Sequence, residues 1–216
     1  MVEEKEEGEP LFLFNITMQN HGGYYASDYE WPVCVHEVSP VNSYDESVIA
    51  YESSVHMADE SVRQLISYFE TVDEPTVVLF FGDHEPRLSN EFYSNWFTDE
   101  NELDLETTAQ LHKTPFFIWG NYNLNTESIQ KGSVVSLNYL STVLFQTAGV
   151  QLSPYQEYLA DLRMEHPVIT ARYFTTAFGD KVGTVPSAFT DSIREYQWLQ
   201  YNCVFDRAHR IPGFYS

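Results

Sequence analysis

Hydrophobic positions fall along this chain in two periods. Leu11–Thr17, broken only at Asn15, and the uninterrupted Thr76–Phe81 and 115–119 are apolar or β-branched runs of strand length. A run without polar alternation predicts a strand buried on both faces, as in a parallel sheet covered by helices. Between the first two, apolar or small residues recur at Val48, Tyr51, Val55, Ala58, Val62, Leu65 and Phe69. Steps alternating between three and four predict a helix over 44–70 with one stripe turned to the sheet. Ser43 and Glu46 match a capping box at its start, and Asp73-Glu74-Pro75 sets its end. Strand, loop, helix and strand then form a right-handed βαβ crossover with parallel strands.

Further along, Phe92, Tyr93, Trp96 and Phe97 predict a short helix, and the acidic run from Asp99 to Glu106 a solvated face. Ser133–Ser136 reads as a short strand and Leu137–Ala148 as a helix stopped by Gly149. Pro154–Glu165 reads as a helix opened by proline, Val168–Phe174 as a strand, Gly179–Gly183 as a turn and Ser187–Tyr201 as a closing helix. Residues 25–42, with Trp31-Pro32 and Ser39-Pro40, read as a loop packed by its own aromatics. Residues 1–9 are a charged tail with nothing to bury, which leaves 10–216 as one ordered domain.

Composition narrows the function. With 15 Tyr, 15 Phe and 4 Trp the chain is globular. A net charge of −21 repels nucleic-acid phosphates and offers no basic stripe, so nucleic acid is excluded as a partner. The same charge disfavours docking on an anionic membrane through this part of the chain, and no apolar run reaches the ~20 residues of a membrane span, which places any membrane anchor outside this sequence. Cys34 and Cys203 lack the spacing of zinc or redox motifs and read as free.

The candidate chemistry sits after the second run, in Gly82-Asp83-His84-Glu85-Pro86. Gly82 permits a sharp bend, and Asp83 and His84 then follow a strand's carboxyl end, where open α/β sheets place their ligands. An Asp-His pair alone fits a turn as well as a metal site. The context of strand, glycine and proline favours a divalent cation held by the Asp83 oxygen and the His84 nitrogen, with further ligands from elsewhere. His21 likewise follows a predicted strand end beside Gly22-Gly23, which suits a substrate contact. His56 lies beside the helix stripe, outside the site. His112 precedes the third strand and, if the strands are parallel, sits as a surface residue at the end opposite His84.

These segments together resemble the lipoteichoic-acid-synthase-like group of the sulfatase and alkaline phosphatase superfamily. The resemblance rests on Phe81-Gly-Asp-His-Glu-Pro86, Asn20-His21, Tyr51–Ser61 and Lys113–Trp119, with Leu152-Ser-Pro-Tyr155 and Tyr196–Tyr201 in the tail, and covers the chain from residue 10. It implies an alkaline-phosphatase-like α/β fold with a mostly parallel sheet and helices on its faces. It also implies an extracellular, membrane-anchored bacterial phosphoglycerol transferase that uses manganese or magnesium, ahead of zinc. Asp83 and His84 become metal ligands, His21 the contact to a lipid donor's phosphoglycerol group. The family's nucleophilic threonine and glutamate ligand precede the strand equivalent to 11–17, so the chain is expected to be an incomplete carboxy-terminal part, inactive by itself. Three strands also make a small sheet for so aromatic a chain and leave an apolar edge uncovered. A sulfatase, phosphodiesterase or phosphoethanolamine transferase on the same scaffold, or a noncatalytic interaction domain, are the alternatives.

Overall fold

The computed structural model describes residues 5, 6, 8–24, 46–94 and 104–215. They group into two compact units: Met1–Tyr68 with Pro86–Thr98, and Phe69–Glu85 with Asp99–Ser216. Among the described residues, no helix is long and apolar enough to cross a membrane.

The first unit is organised around helix α1 (Glu46–Phe69), with the short helix α2 (Asn90–Ser94). Ser43 of the expected capping box and the loop 25–42 lie outside the described residues. Burial on α1 falls on Ile49, Ala50, Ser53 and Ser54 instead of the expected stripe, and Val55 and Leu65 are exposed. Tyr24 packs edge-on against Tyr51 at 5.4 Å and donates its hydroxyl to the Asn20 carbonyl.

Leu11–Thr17 corrects a sequence expectation. Its backbone pairs with no described strand, and Leu11, Phe12, Leu13, Phe14 and Ile16 are all exposed. An apolar run becomes a strand only beside a partner that takes its N–H and C=O groups. The βαβ crossover therefore does not form among the described residues.

The second unit is α/β with two small sheets. Strands β1 (Val77–Phe81) and β2 (Phe116–Gly120) pair antiparallel, with Val77 opposite Gly120 and Phe81 opposite Phe116. The parallel sheet expected from sequence is thus replaced by an antiparallel pair. The expected burial on both faces is also not met: β1 and β2 are half-buried and Phe80 is exposed, and an apolar run is silent on strand direction. Phe80 and Phe117 stack across the pair at 5.4 Å. Asn121 clasps the entry to β1: its Nδ2 donates to the carbonyls of Val72 at 2.8 Å and Glu74 at 2.9 Å, and its Oδ1 accepts from the Thr76 N–H at 2.7 Å.

Helix α3 (Leu105–Leu111) starts at Asp104, whose side chain caps the Thr107 N–H. Helix α4 (Leu140–Ala148) follows a 3-10 turn, Leu137–Tyr139, and stops at Gly149, whose φ of 73° is the left-handed conformation that ends helices. The expected strand at Ser133–Ser136 is absent, because Gln130 and Ser133 close a turn on each other. Helix α5 (Pro154–Glu165) has the reciprocal Ser153–Gln156 capping box with Pro154 in its first turn.

The expected strand Val168–Phe174 is broken in the middle. Ile169 bridges Phe174, since the Thr170 hydroxyl donates to the Tyr173 carbonyl and accepts the N–H groups of Arg172 and Tyr173, folding the chain back on itself. What remains is β3 (Tyr173–Thr175), paired antiparallel with β4 (Lys181–Gly183) in the span read as a turn. Helix α6 (Asp191–Val204) is capped by Thr190 and preceded by a 3-10 turn at Pro186–Ala188. The closing helix therefore starts later and runs further than its apolar pattern indicates. Cys203 is free; Cys34 lies outside the described residues.

The core joins Tyr139, Leu159, Leu162 and Tyr196, so the 3-10 turn before α4, helix α5 and helix α6 share one apolar cluster. His166 is buried beside it, with Nδ1 on the Thr175 carbonyl at 2.8 Å and Nε2 within reach of the Thr190 and Ser192 hydroxyls at 3.1 and 3.2 Å. A carbonyl only accepts, so Nδ1 carries a proton toward Thr175. Leu162→Ala should cost about 2–5 kcal/mol through the cavity it leaves, and Ser153→Ala about 1 kcal/mol through the lost cap. Chemical denaturation reads both, and a Leu162→Ala midpoint equal to wild type would remove this cluster as the unit's core.

Candidate functional site

The end of β1 is where the sequence concentrates its chemistry, and the antiparallel register decides what else arrives there. Beyond the last pair, the Gly82 N–H donates to the Pro115 carbonyl at 3.1 Å, and the Thr114 hydroxyl returns a bond to the Gly82 carbonyl at 2.8 Å. A Cβ built on Gly82 would stand 3.0 Å from the Thr114 Cβ, so a larger residue at 82 makes the two segments shift apart by a few tenths of an ångström.

Past this closure Asp83 and His84 turn outward, about three-quarters exposed. Asp83 Oδ1 accepts the His84 backbone N–H at 2.9 Å, which leaves Oδ2 clear. The His84 Nδ1 lies 2.8 Å from the Glu85 carbonyl. That oxygen can only accept, so Nδ1 holds a ring proton, and in the neutral ring Nε2 presents a lone pair. Nε2 and the Asp83 Oδ2 are 3.5 Å apart, an ion pair when the ring is protonated and two electron-pair donors side by side when it is neutral.

Glu85 and His112 are the residues that sequence reasoning missed. Parallel strands would have sent His112 to the far end of the sheet; antiparallel pairing returns it to the end occupied by Asp83. Burial pushes the Glu85 carboxyl above its ordinary range, while a hydrogen bond from His112, its charge and the Lys113 backbone N–H pull it back. Asp83 and His112 both line a cleft of about 1170 Å³ in the second unit, with Phe81, Thr114 and Tyr173 among its walls. No signal in the sequence tied His112 to Glu85, because their meeting depends on strand direction.

His21 belongs to the first unit, exposed after a turn closed by its own N–H on the Met18 carbonyl. His56 is exposed on α1. His166 is held by structural hydrogen bonds, and His209 pairs with Asp206 at 2.6 Å. Among the described residues, no three His, Cys, Asp or Glu side chains converge as a metal-holding group.

The Sulfatase family model matches residues 1–150. A protein of Rhizobium meliloti (strain 1021) named for cyclic beta-1,2-glucan modification is 26% identical over 222 residues, covering 98% of this chain and 34% of that protein. The capsular polysaccharide biosynthesis protein RkpI of the same organism is 29% identical over 89 residues, or 41% of this chain and 14% of RkpI. This chain thus spans about a third of the first relative's length and less of the second's. Among solved structures, the Streptococcus pyogenes phosphoglycerol transferase GacH, in complex with sn-glycerol-1-phosphate, shares the fold at a TM-score of 0.52 and 16% identity, over 79% of this chain and 38% of GacH.

Two outcomes test this geometry. Gly82→Ala should cost about 1–3 kcal/mol, as for other overpacked sites; denaturation unchanged from wild type would show that the Thr114 contact yields freely. A carboxyl raised above its ordinary 4.5 is more protonated in the folded chain than in the unfolded one, so the contribution of Glu85 to stability falls as pH rises through a window starting at 4.5. Glu85→Gln should flatten the dependence of the denaturation midpoint on pH there, and an unaltered slope would remove Glu85 as its source.

Proposed function

This chain belongs to the sulfatase family, and from that premise we propose that it is the carboxy-terminal part of a metal-dependent phosphoglycerol transferase that modifies a cell-envelope glycan from a lipid phosphoglycerol donor. The observation that carries the reading is the pair at the end of β1. Two ligand atoms bonded to one cation at about 2.0–2.2 Å stand roughly 3–3.5 Å apart, and Asp83 Oδ2 and His84 Nε2 are separated by 3.5 Å. The donor types suit manganese, magnesium or zinc, with the carboxylate favouring the harder ions. Support for the substrate class comes from GacH, whose complex holds sn-glycerol-1-phosphate, and from relatives named for glucan modification and capsular polysaccharide.

In this reading Asp83 supplies charge and His84 a neutral nitrogen, its orientation set by the Glu85 carbonyl. The bound cation would neutralise phosphate charge during transfer. His112, on the same cleft as Asp83, offers an N–H to a phosphate oxygen once it leaves Glu85. The whole enzyme works at the outer face of a bacterial membrane through an anchor in its parent.

Catalytic metal centres take at least three protein ligands, and the described residues bring together fewer. The 216-residue chain should therefore bind manganese only weakly in calorimetric titration, and more weakly still as salt screens its charge of −21. In the full-length parent, Asp83→Ala should lower metal-dependent turnover of a lipid phosphoglycerol donor by more than about 100-fold, beyond the usual cost of an outer-shell change, while His56→Ala leaves it unchanged. Near-normal turnover by the Asp83→Ala enzyme would take Asp83 out of the metal site, and turnover of sulfate esters in place of phosphoglycerol would move the protein to a different reaction.

A further inference from the structure

Helix α6 is apolar on both sides but covered on one. Ile193 and Tyr196 are buried on the inner side, where Tyr196 joins the core. On the outer side, Arg194, Trp198, Tyr201 and Phe205 follow at steps of four, three and four, which places them along one line of the helix. Trp198 is 71% exposed, Tyr201 61% and Phe205 75%, with Val204 exposed beside them. The line runs about 16 Å at 1.5 Å per residue. An amphipathic helix normally turns a polar face to water; three neighbouring exposed aromatic rings require another cover.

The charge distribution identifies that cover. Of the 32 acidic and 11 basic residues, only Asp191, Glu195, Asp206 and Arg194, Arg207, Arg210 lie beyond Phe189. This segment is charge-balanced while the rest of the chain holds the whole −21. A second copy docking here would set two such charges against each other. A bilayer interface would meet the balanced segment first, with Arg194 in the aromatic line and Arg207 just past its end, both exposed. Trp and Tyr rings settle at headgroup level, where one side of the ring is apolar and the other wet, and arginines beside them pair with lipid phosphates. Residues beyond 150 also lie outside the span matched by the family model, so that match assigns α6 no role.

We propose that the outward face of α6, through Trp198, Tyr201 and Phe205, docks on the phospholipid interface of a membrane. The inference rests on the reading of a lipid-linked donor, because an enzyme acting on a headgroup must hold itself at the surface that displays it. Three rings entering the headgroup layer would anchor the second unit without any spanning segment. The surrounding negative charge would keep its other faces away from anionic lipid.

Flotation of the 216-residue chain with vesicles tests this, using pure phosphatidylcholine and phosphatidylcholine with a minority of phosphatidylglycerol. The wild-type chain should float with both. Trp198→Ser/Phe205→Ser should lower the partition coefficient about tenfold or more, from the apolar area withdrawn. Trp198→Phe, which keeps an apolar ring, should retain most of the binding. Phe178→Ser, at a ring 94% exposed on the β3–β4 turn, should match wild type. Circular dichroism checks that each variant is folded. Equal partition of wild type and the double variant, absence of binding by wild type, or an equal loss from Phe178→Ser would each overturn the proposal. So would concentration-dependent self-association that the double variant abolishes, since the face would then belong to a second copy. Pure phosphatidylcholine lacks phosphoglycerol, so docking there persists even if the phosphoglycerol reading fails. Turnover of a detergent-solubilised donor without docking would instead leave that reading standing and remove this one.

Discussion

The hydrogen bonds that close the chain beyond Phe81 and Phe116 decide which side chains share the end of the first sheet. Gly82 and Thr114 approach too closely for any other residue at 82 without displacement, and that contact fixes where Asp83 leaves the strand. From there each atom has one consequence. The His84 backbone N–H occupies one oxygen of Asp83, and the Glu85 carbonyl occupies one nitrogen of His84, which leaves a single free donor on each residue. A two-residue motif acquires a geometry because main-chain groups on its own flank consume the other valences.

Buried polar groups do comparable work away from the site. The His166 ring ties the end of α5 to β3 and to the first turn of α6. Asn121 holds the 72–76 stretch at the entry to β1 through one amide. Burial also drives the Tyr158 hydroxyl up to about 12, so it stays a neutral donor, directed at the Ser192 carbonyl. Contacts of this kind stabilise modestly when made and cost more when one partner is lost, so they select one arrangement among the many that an aromatic core would tolerate.

Local signals in the sequence were legible where a single residue type carries a single conformation. Ser153, Pro154 and Gln156 mark the start of α5, and Gly149 marks the end of α4, because caps and left-handed turns are decided within a few residues. Strand existence at 77–81 and 116–120 was equally legible from apolar runs. Direction was not, since apolar runs look alike in parallel and antiparallel pairs, and with direction went the position of His112. The broken strand at 168–174 turned on the Thr170 hydroxyl, whose competition with the ladder is invisible to a count of apolar residues. On α1 the stripe at three-four spacing was real as a pattern, yet burial went to the smaller residues at 50, 53 and 54. At the site, Asp83 and His84 stood out by residue type and place, whereas Glu85 and His112 needed the tertiary pairing.

The uncovered stretch Leu11–Thr17 has a consequence for the chain's behaviour in solution. Its seven residues, β-formers apart from Asn15 and without charge or proline, pair with no described strand and expose Phe12 and Phe14. Segments of this composition template cross-β stacking between identical molecules. The opposing force is mutual repulsion of chains that each carry −21, and repulsion across solvent fades as the Debye length shrinks from about 10 Å at 0.1 M salt to about 3 Å at 1 M. Colloidal stability of this polypeptide is therefore borrowed from low ionic strength: raising salt, which leaves the buried core indifferent, removes the barrier that keeps these edges from finding one another.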